Sequence, residues 1–357
     1  MPELIQALDH NQDNLGGCIE LGRYAEAVRQ GRVQEVQTTS DFSFMADTID
    51  RGVKQGYLTE DIPAIYETIG WRRDQRTFED AKDYEINAAR LIPTVPEKGE
   101  YLPIDPTISS YTFHMRKYGC QWDVSWEAWL RDGRDLGLLQ DVPSAWGLSA
   151  KYTRAYLFSG LYAANATLFA ADQGNLLSAA DFASGTADLT AANLAEAITT
   201  LRNFTDPAGN VAVYAGPIYL VVPSSLEFTA KAIVNSPQVQ QQATVAMPVS
   251  NAMYQAAQVQ VDPFLQAVDA VTGATAWYLF ADPRLRPAVR YGFVAGYEQP
   301  EIFVKESSAR ALMGGGSDPF AGSFATDDIE LKLRFTWGQG LVDWRGAVMV
   351  DGAAAGS

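Results

Sequence analysis

Hydrophobic and polar positions repeat along this chain with two periods, and the changes of period mark its elements. Residues 40–57 carry a helical repeat: Phe42, Met45, Ala46, Ile49 and Val53 share one face, Asp41, Asp47, Asp50 and Arg51 lie elsewhere, and Ser40 stands as N-cap. The spacing predicts a short amphipathic helix in an otherwise polar N-terminal stretch. The period drops to two at 84–88, where Tyr84, Ile86 and Ala88 alternate with Glu85 and Asn87. It does so again at 111–116, where Tyr111, Phe113 and Met115 alternate with Thr112, His114 and Arg116. Both read as half-buried strands with the apolar set inward. Between them, Leu91–Ser110 holds four prolines and a glycine, which predicts an extended excursion without a helix of its own. Connections this long are usually functional or mobile.

Ser125 precedes WEAWLRDG with Gly133 as a stop, which predicts a short helix over 126–132. Pro143 then stands where a first helical turn begins, and Leu148, Tyr152, Ala155, Ser159, Tyr162, Ala166 and Phe169 follow at spacings of four and three. They predict a helix of about 27 residues, on the order of 40 Å long, charged only at Lys151 and Arg154 and buried on most sides. After Asn203 short apolar runs are broken by Pro and Gly. Ile218–Val222 precedes Pro223, a helix follows from Ser225 to Asn235, Val259–Val261 precedes Asp262-Pro263, and Trp277–Phe280 precedes Asp282-Pro283. This is α+β texture with a sheet at its centre. The clearest strand is 329–337, where Ile329, Leu331, Leu333, Phe335 and Trp337 alternate with Glu330, Lys332, Arg334 and Thr336. Gly338-Gln339-Gly340 reads as a turn into a second strand through Met349, giving a C-terminal hairpin, and GAAAGS reads as a disordered tail. No repeat recurs at a period of roughly 20–50 residues.

Composition then narrows the function classes. The chain has 357 residues, 47% hydrophobic and 20% charged, enough for two or three cores and unlike a disordered, collagenous or coiled-coil chain. Asp plus Glu total 43 against 27 Lys plus Arg, a formal charge of −16, so diffuse attraction to nucleic-acid phosphates or anionic lipid is not expected. No basic residue occurs between Lys231 and Arg284. The start, MPELIQALDHNQ, has no basic region leading into an apolar run, and no window approaches ~18 apolar residues, so neither a signal peptide nor a membrane span is expected. Cys18 and Cys120 are too few for a disulfide framework and read as two inert thiols of a reducing compartment.

Candidate chemistry is sparse. With only His10 and His114, a histidine-based triad or a multi-histidine metal centre has little to draw on. A zinc site joining His114 and Cys120 to Cys18 and His10 has no recognisable spacing, so His114 reads as a solvated strand histidine. Gly314-Gly315-Gly316-Ser317 lacks the Lys-Ser/Thr of a phosphate loop and reads as a flexible surface loop. The acidic residues, 8 Trp and 16 Tyr leave a carbohydrate-active enzyme open, though nothing selects one carboxylate pair. No catalytic, cofactor-binding or metal-ligating residue is expected. An isolated hairpin is marginal in water, so a long proline-bearing hairpin, a long helix and an arm with little core of its own suggest a subunit completed by its neighbours. On that reading Tyr84, Ile86, Tyr111 and Phe113 need cover.

Several stretches together resemble a known family. VPEKGEY (95–101), Tyr111-Thr-Phe, Arg116-Lys-Tyr-Gly and Val124-Ser-Trp-Glu-Ala, ahead of the long Ala- and Tyr-rich helix, resemble tailed-phage major capsid proteins of the Hong-Kong-97-type fold. The similarity is greatest to the group that includes the Mu-like major head subunit. YLVVPSSLEFTAKAIVNS (219–236), VDPFL (261–265), AWYLFADP (276–283), GFVAGYEQPEI (292–302) and WGQGLVDWRGAVM (337–349, with Asp343 and Arg345) follow in the family's order, over roughly residues 40–350. The resemblance implies an α+β chain with an N-terminal arm (1–75), an extended E-loop hairpin (84–118) and a peripheral domain with a long spine helix (119–202 and 300–337). An axial domain (203–299) and a C-terminal strand and tail (338–357) complete it. It implies a virion subunit, assembled in the host cytoplasm into pentamers and hexamers of an icosahedral shell that encloses double-stranded DNA without binding it specifically. No cofactor or membrane is implied, and Glu97, Lys98, Gly99, Glu100 and Tyr101 of the E-loop are expected at an inter-subunit contact. Scaffolding, portal and any decoration protein are expected to be separate chains. An encapsulin-type compartment is the alternative within the fold. Some shells of this fold join an E-loop lysine to a C-terminal asparagine; here Lys98 has no such partner, the last asparagine being Asn251, so a non-covalent shell is expected.

Overall fold

The computed structural model describes residues 51–54, 56–58, 62–87, 94–101, 107–125, 127, 138–205, 214–240, 248–305, 323 and 325–352. Most of the helices expected over 40–57 and 126–132, the glycine-rich 314–317 and the tail lie outside these residues; 51–54 and 56–58 are helical, as expected. The strands are β1 (Gly70–Arg72), β2 (Ala81–Asn87), β3 (Thr107–Ser125), β4 (Leu176–Leu177), β5 (Ile218–Val222), β6 (Gln238–Gln240), β7 (Pro248–Ser250), β8 (Gln258–Val261), β9 (Trp277–Ala281), β10 (Val289–Gly292), β11 (Glu301–Val304), β12 (Asp328–Leu341) and β13 (Ala347–Val350). The helices are α1 (Ile65–Ile69), α2 (Leu138–Tyr162), α3 (Ala191–Asn203), α4 (Glu227–Asn235) and α5 (Leu265–Val268). The class is α+β, as expected. One sheet runs β1-β10-β12-β3-β2 with β11 on β12, a second runs β4-β13-β9-β5-β8, and β6 pairs with β7.

The chain divides into two compact units. In the unit formed by the described residues of 1–60, 117–151 and 297–336, the helical segment around Val53 packs closely on α2. A side chain at Gly147 would meet the Val53 carbonyl at 2.0 Å, so only glycine permits the contact. Here β11 and β12 pair antiparallel, setting Glu301 opposite Arg334 and Phe303 opposite Lys332. Tyr118 stacks on Phe335 at 5.4 Å.

The other unit contains the five-stranded sheet. β9 is antiparallel to both β5 and β13, while β5 runs parallel to β8 and β13 parallel to β4. One face carries Leu220, Val222, Trp277, Leu279, Val348 and Val350, which pack with Leu194, Ala197 and Leu201 of α3 and with Ala230 and Val234 of α4. Tyr278 and Phe280 point to the opposite face and meet Tyr162 of α2, each at 5.3 Å. Covered on both sides, the central strands read as continuous apolar runs, and each fully buried aliphatic or aromatic side chain contributes about 1.5–3 kcal/mol.

Two expected boundaries are corrected here. The helix expected from Pro143 to Phe169 begins at Leu138 and ends at Tyr162. Ala164 takes a left-handed φ of 46°, and the Asn165 side chain donates to the Leu161 carbonyl at 2.7 Å, closing the last turn. Phe169 is still buried, against Tyr278, so its apolar spacing reflects the core and not a helix. The expected C-terminal hairpin does not form. Gly338-Gln339-Gly340 continue β12 beside β10, whereas β13 lies in the other sheet, between β4 and β9. A Cβ at Gly338 would stand 2.5 Å from the Met115 sulfur and 2.9 Å from the Phe113 ring, so the glycine serves close approach, not a turn.

Candidate assembly surface

The β2–β3 strand pair buries one face and carries exposed apolar side chains on the other. Its strands pair antiparallel from Ala81↔Phe113 to Asn87↔Thr107, so Tyr84 faces Ser110 and Asp83 faces Tyr111. β3 begins at Thr107 and reaches Ser125, longer at both ends than the 111–116 alternation indicates. Phe113 and Met115 point inward as expected, packed with Val294 of their own chain, so Phe113 needs no neighbour to cover it. The phase expected for β2 is wrong. Tyr84 is 65% exposed, and Asp83, on the opposite face, is buried. Ile86 lies in the described strand, but only its backbone register is defined.

The inversion has a charge at its root. Asp83 meets Arg73 at 2.5 Å and pairs with the fully buried Arg290 of β10. The Arg290 guanidinium also lies over the rings of Phe113 (5.2 Å) and Trp71 (5.7 Å). Burial, reinforced by the like charge of Arg73, pulls the Arg290 pKa down to about 10, still cationic at neutral pH. Removing one member of such a pair leaves an uncompensated buried charge and costs about 3–5 kcal/mol. β1, parallel to β10, supplies the segment that carries Arg73, whose amide donates to the Tyr291 carbonyl at 2.8 Å. Below this lies an aromatic cluster in which Tyr291 stacks on Trp337 at 5.6 Å, and Tyr66 stands edge-on to both. Arg154 of α2, fully buried, sits 4.8 Å from the Phe293 ring centre. A lone arginine inside the apolar run Ala288–Val294 was the available sequence signal for Arg290; Asp83 and Arg73 carried none.

At the distal end, Glu97 and Lys98 form the turn, closed by the Gly99 amide donating to the Pro96 carbonyl at 2.8 Å. Lys98 adopts φ 62°. The five residues expected at an inter-subunit contact thus sit together at one tip: Glu97, Lys98 and Glu100 are exposed, Gly99 is half-buried and Tyr101 is 83% exposed. The outward row of the hairpin adds Tyr84 and Ile108, the latter 60% exposed.

Other polar groups have structural partners. His114 lies 2.6 Å from Asp80, both at the surface. Burial raises the Cys120 thiol pKa. Asp262, buried at the end of β8, accepts hydrogen bonds from Ser159 (2.5 Å), from Tyr162 and from the Phe264 amide (2.9 Å). Burial nevertheless raises its pKa above the ordinary carboxylate value, and it raises that of Tyr162 strongly. Asp343 and Arg345, of the D-x-R-G ending, pair at 3.2 Å. Among the described residues no group of three or more His, Cys, Asp or Glu could hold a metal ion, and no helix is long and apolar enough to cross a membrane.

The family model described as phage capsid protein matches residues 110–350, more than half of the chain. The chain belongs to this family. In this phage capsid protein the match begins at Ser110, on β3, so β2 and the tip lie ahead of the matched segment. Among solved structures the capsid protein is similar to a chain from Mycobacterium phage Ogopogo, with 15% identity over 81% of this chain and 91% of that one (TM-score 0.47). It is also similar to the capsid of Myoviridae phage XM1, with 14% identity over 82% and 93% (TM-score 0.46), and to a virus-like particle from Pyrococcus furiosus, with 10% identity over 86% and 98% (TM-score 0.40). No curated protein matches the chain in sequence.

Proposed function

We propose that this phage capsid protein is the major head subunit of a tailed phage, of the Hong-Kong-97 type and nearest its Mu-like group. It assembles into pentamers and hexamers of an icosahedral shell around double-stranded DNA. The observation that carries the reading is the capsid-family match over residues 110–350. The β2–β3 hairpin is its E-loop, and Glu97 to Tyr101, with Tyr84 and Ile108, contact a neighbouring copy. An apolar row exposed on a strand pair is costly in a lone subunit and useful in a shell. Residues 203–299 form the axial domain, and 119–202 with 300–337 the peripheral one. The net charge of −16 repels packed DNA, so the shell encloses it without adhering to it. Portal, scaffolding and any decoration protein are separate chains met in the host cytoplasm.

Negative-stain microscopy and particle-mass measurement of the purified chain, alone and with its scaffolding protein, test this. Closed shells or capsomers are expected. A monodisperse monomer under both conditions overturns the proposal. Boiled in detergent, mature particles run as a single subunit band, since no asparagine lies beyond Asn251 to receive Lys98; a ladder of capsomer bands would contradict the non-covalent shell.

A further inference from the structure

The hairpin has two competing registers, and its sequence places opposite charges on the two. Strand β3 must keep Phe113 inward, because its ring packs with Met115 and Val294 and closes over the glycines of β12. Strand β2 has an apolar pair, Tyr84 and Ile86, that alternation alone would turn to the same side. Sliding β2 by one residue would satisfy it by bringing Tyr84 opposite Ser109, on the same face as Tyr111 and Phe113. The same slide would withdraw the Asp83 carboxylate from Arg290 and Arg73 and bring Lys82, now opposite Tyr111, into its place. A third cation would then stand beside two arginines, one of them fully buried. In the observed register Lys82 pairs with Thr112 at the surface.

We propose that the Lys82-Asp83 dipeptide is the register lock of this hairpin: Asp83 on Arg290 and Arg73 holds β2 one residue away from its hydrophobically preferred phase, and this keeps Tyr84 on the outer face. Asp83 and Lys82 are positioning residues, acting through the face they display. The value of that face to a neighbouring copy rests on the assembly reading above; the lock itself does not.

The test reads the register directly in isolated subunits. In full-length chain with Cys18 and Cys120 replaced by Ser, cysteine pairs are introduced at Tyr84/Ser110 and, separately, at Tyr84/Ser109, and probed with a short bis-maleimide. The native dipeptide is expected to favour crosslinking of the 84/110 pair. Exchanging the charges, Lys82→Asp with Asp83→Lys, moves the carboxylate one residue along, and the favoured crosslink is expected to move to 84/109. Crosslinking that stays at 84/110 after the exchange overturns the lock. Should the exchanged chain fail to fold, Lys82→Leu removes only the repulsion and is expected to yield 84/109 product where the native dipeptide yields none. An unchanged crosslink pattern in that variant also overturns the lock. Failure of the assembly reading would look different, as a native 84/110 crosslink in a chain that never forms particles.

Discussion

In the five-stranded sheet β9 buries all five of its residues, Trp277 to Ala281, with an apolar cluster on one face and Tyr162 on the other, and the Trp277 indole N–H donates to the Ala187 carbonyl. At the root of the hairpin β2 buries Asp83 against Arg290 and Arg73 and leaves Tyr84 in water. Both are strands of one compact unit, yet different forces choose what they bury. Apolar burial is roughly proportional to area and tolerant of which residue supplies it. An ion pair in low dielectric is all or nothing: either the partner is present or a charge is stranded. The sheet therefore gains stability from many interchangeable contacts, whereas the root gains specificity from one.

The largest expected effect is on the sheet. Trp277→Ala removes a fully buried indole and its hydrogen bond to the Ala187 carbonyl, and a loss of about 3–5 kcal/mol in urea denaturation is expected. Next, Asp83→Leu is expected to cost about 3 kcal/mol by stranding Arg290. The double variant Asp83→Leu with Arg290→Met is expected to return to within about 1 kcal/mol of the native chain, since apolar replacement of a buried pair is often neutral. If the double variant is no more stable than the single one, the pair is not what separates the two regions.

Smaller effects sharpen the contrast. Tyr84→Ser is expected to change stability by less than about 0.5 kcal/mol, because Tyr84 is already exposed, while lowering particle yield scored by sedimentation. Equal yield from native and variant chains would remove the outward face from the assembly surface. The smallest effect is a pH dependence in the polar pin beneath the sheet. Burial raises the folded-state pKa of Asp262, so folding binds a proton more tightly than the unfolded chain, whose aspartate titrates near about 3.9. Its contribution is then present below that value and lost as pH rises through the raised folded pKa. Relative to Asp262→Asn, the native chain should lose melting temperature as pH rises from about 4 through that window. A constant difference between the two would contradict the raised pKa.

Legibility in the sequence follows the same division. β5, β9 and the 329–337 part of β12 were legible because each buries apolar side chains in a run or a strict alternation, and nothing nearby competes. The length of α2 was misjudged because Ala166 and Phe169 keep helical spacing while Asn165 and Ala164 end the helix, and a buried loop residue looks like a helical one in sequence. The tip was legible as proline-rich and polar. Its anchor was not, since Asp83 belongs to β2, Arg290 to β10, and 207 positions of chain separate them.

By itself, then, the sequence determined the α+β class, the apolar strands of the central sheet, the proline-bearing break between β2 and β3 and the acidic balance, because each depends on local pattern or on summed composition. Only the tertiary structure decided which face of β2 looks outward, that Gly338 and Gly340 lie within a strand, and that β13 leaves its sequence neighbour for another sheet. These depend on which backbone and which charge come to lie beside a residue in space, and a pattern of period two has the same form whichever face is buried.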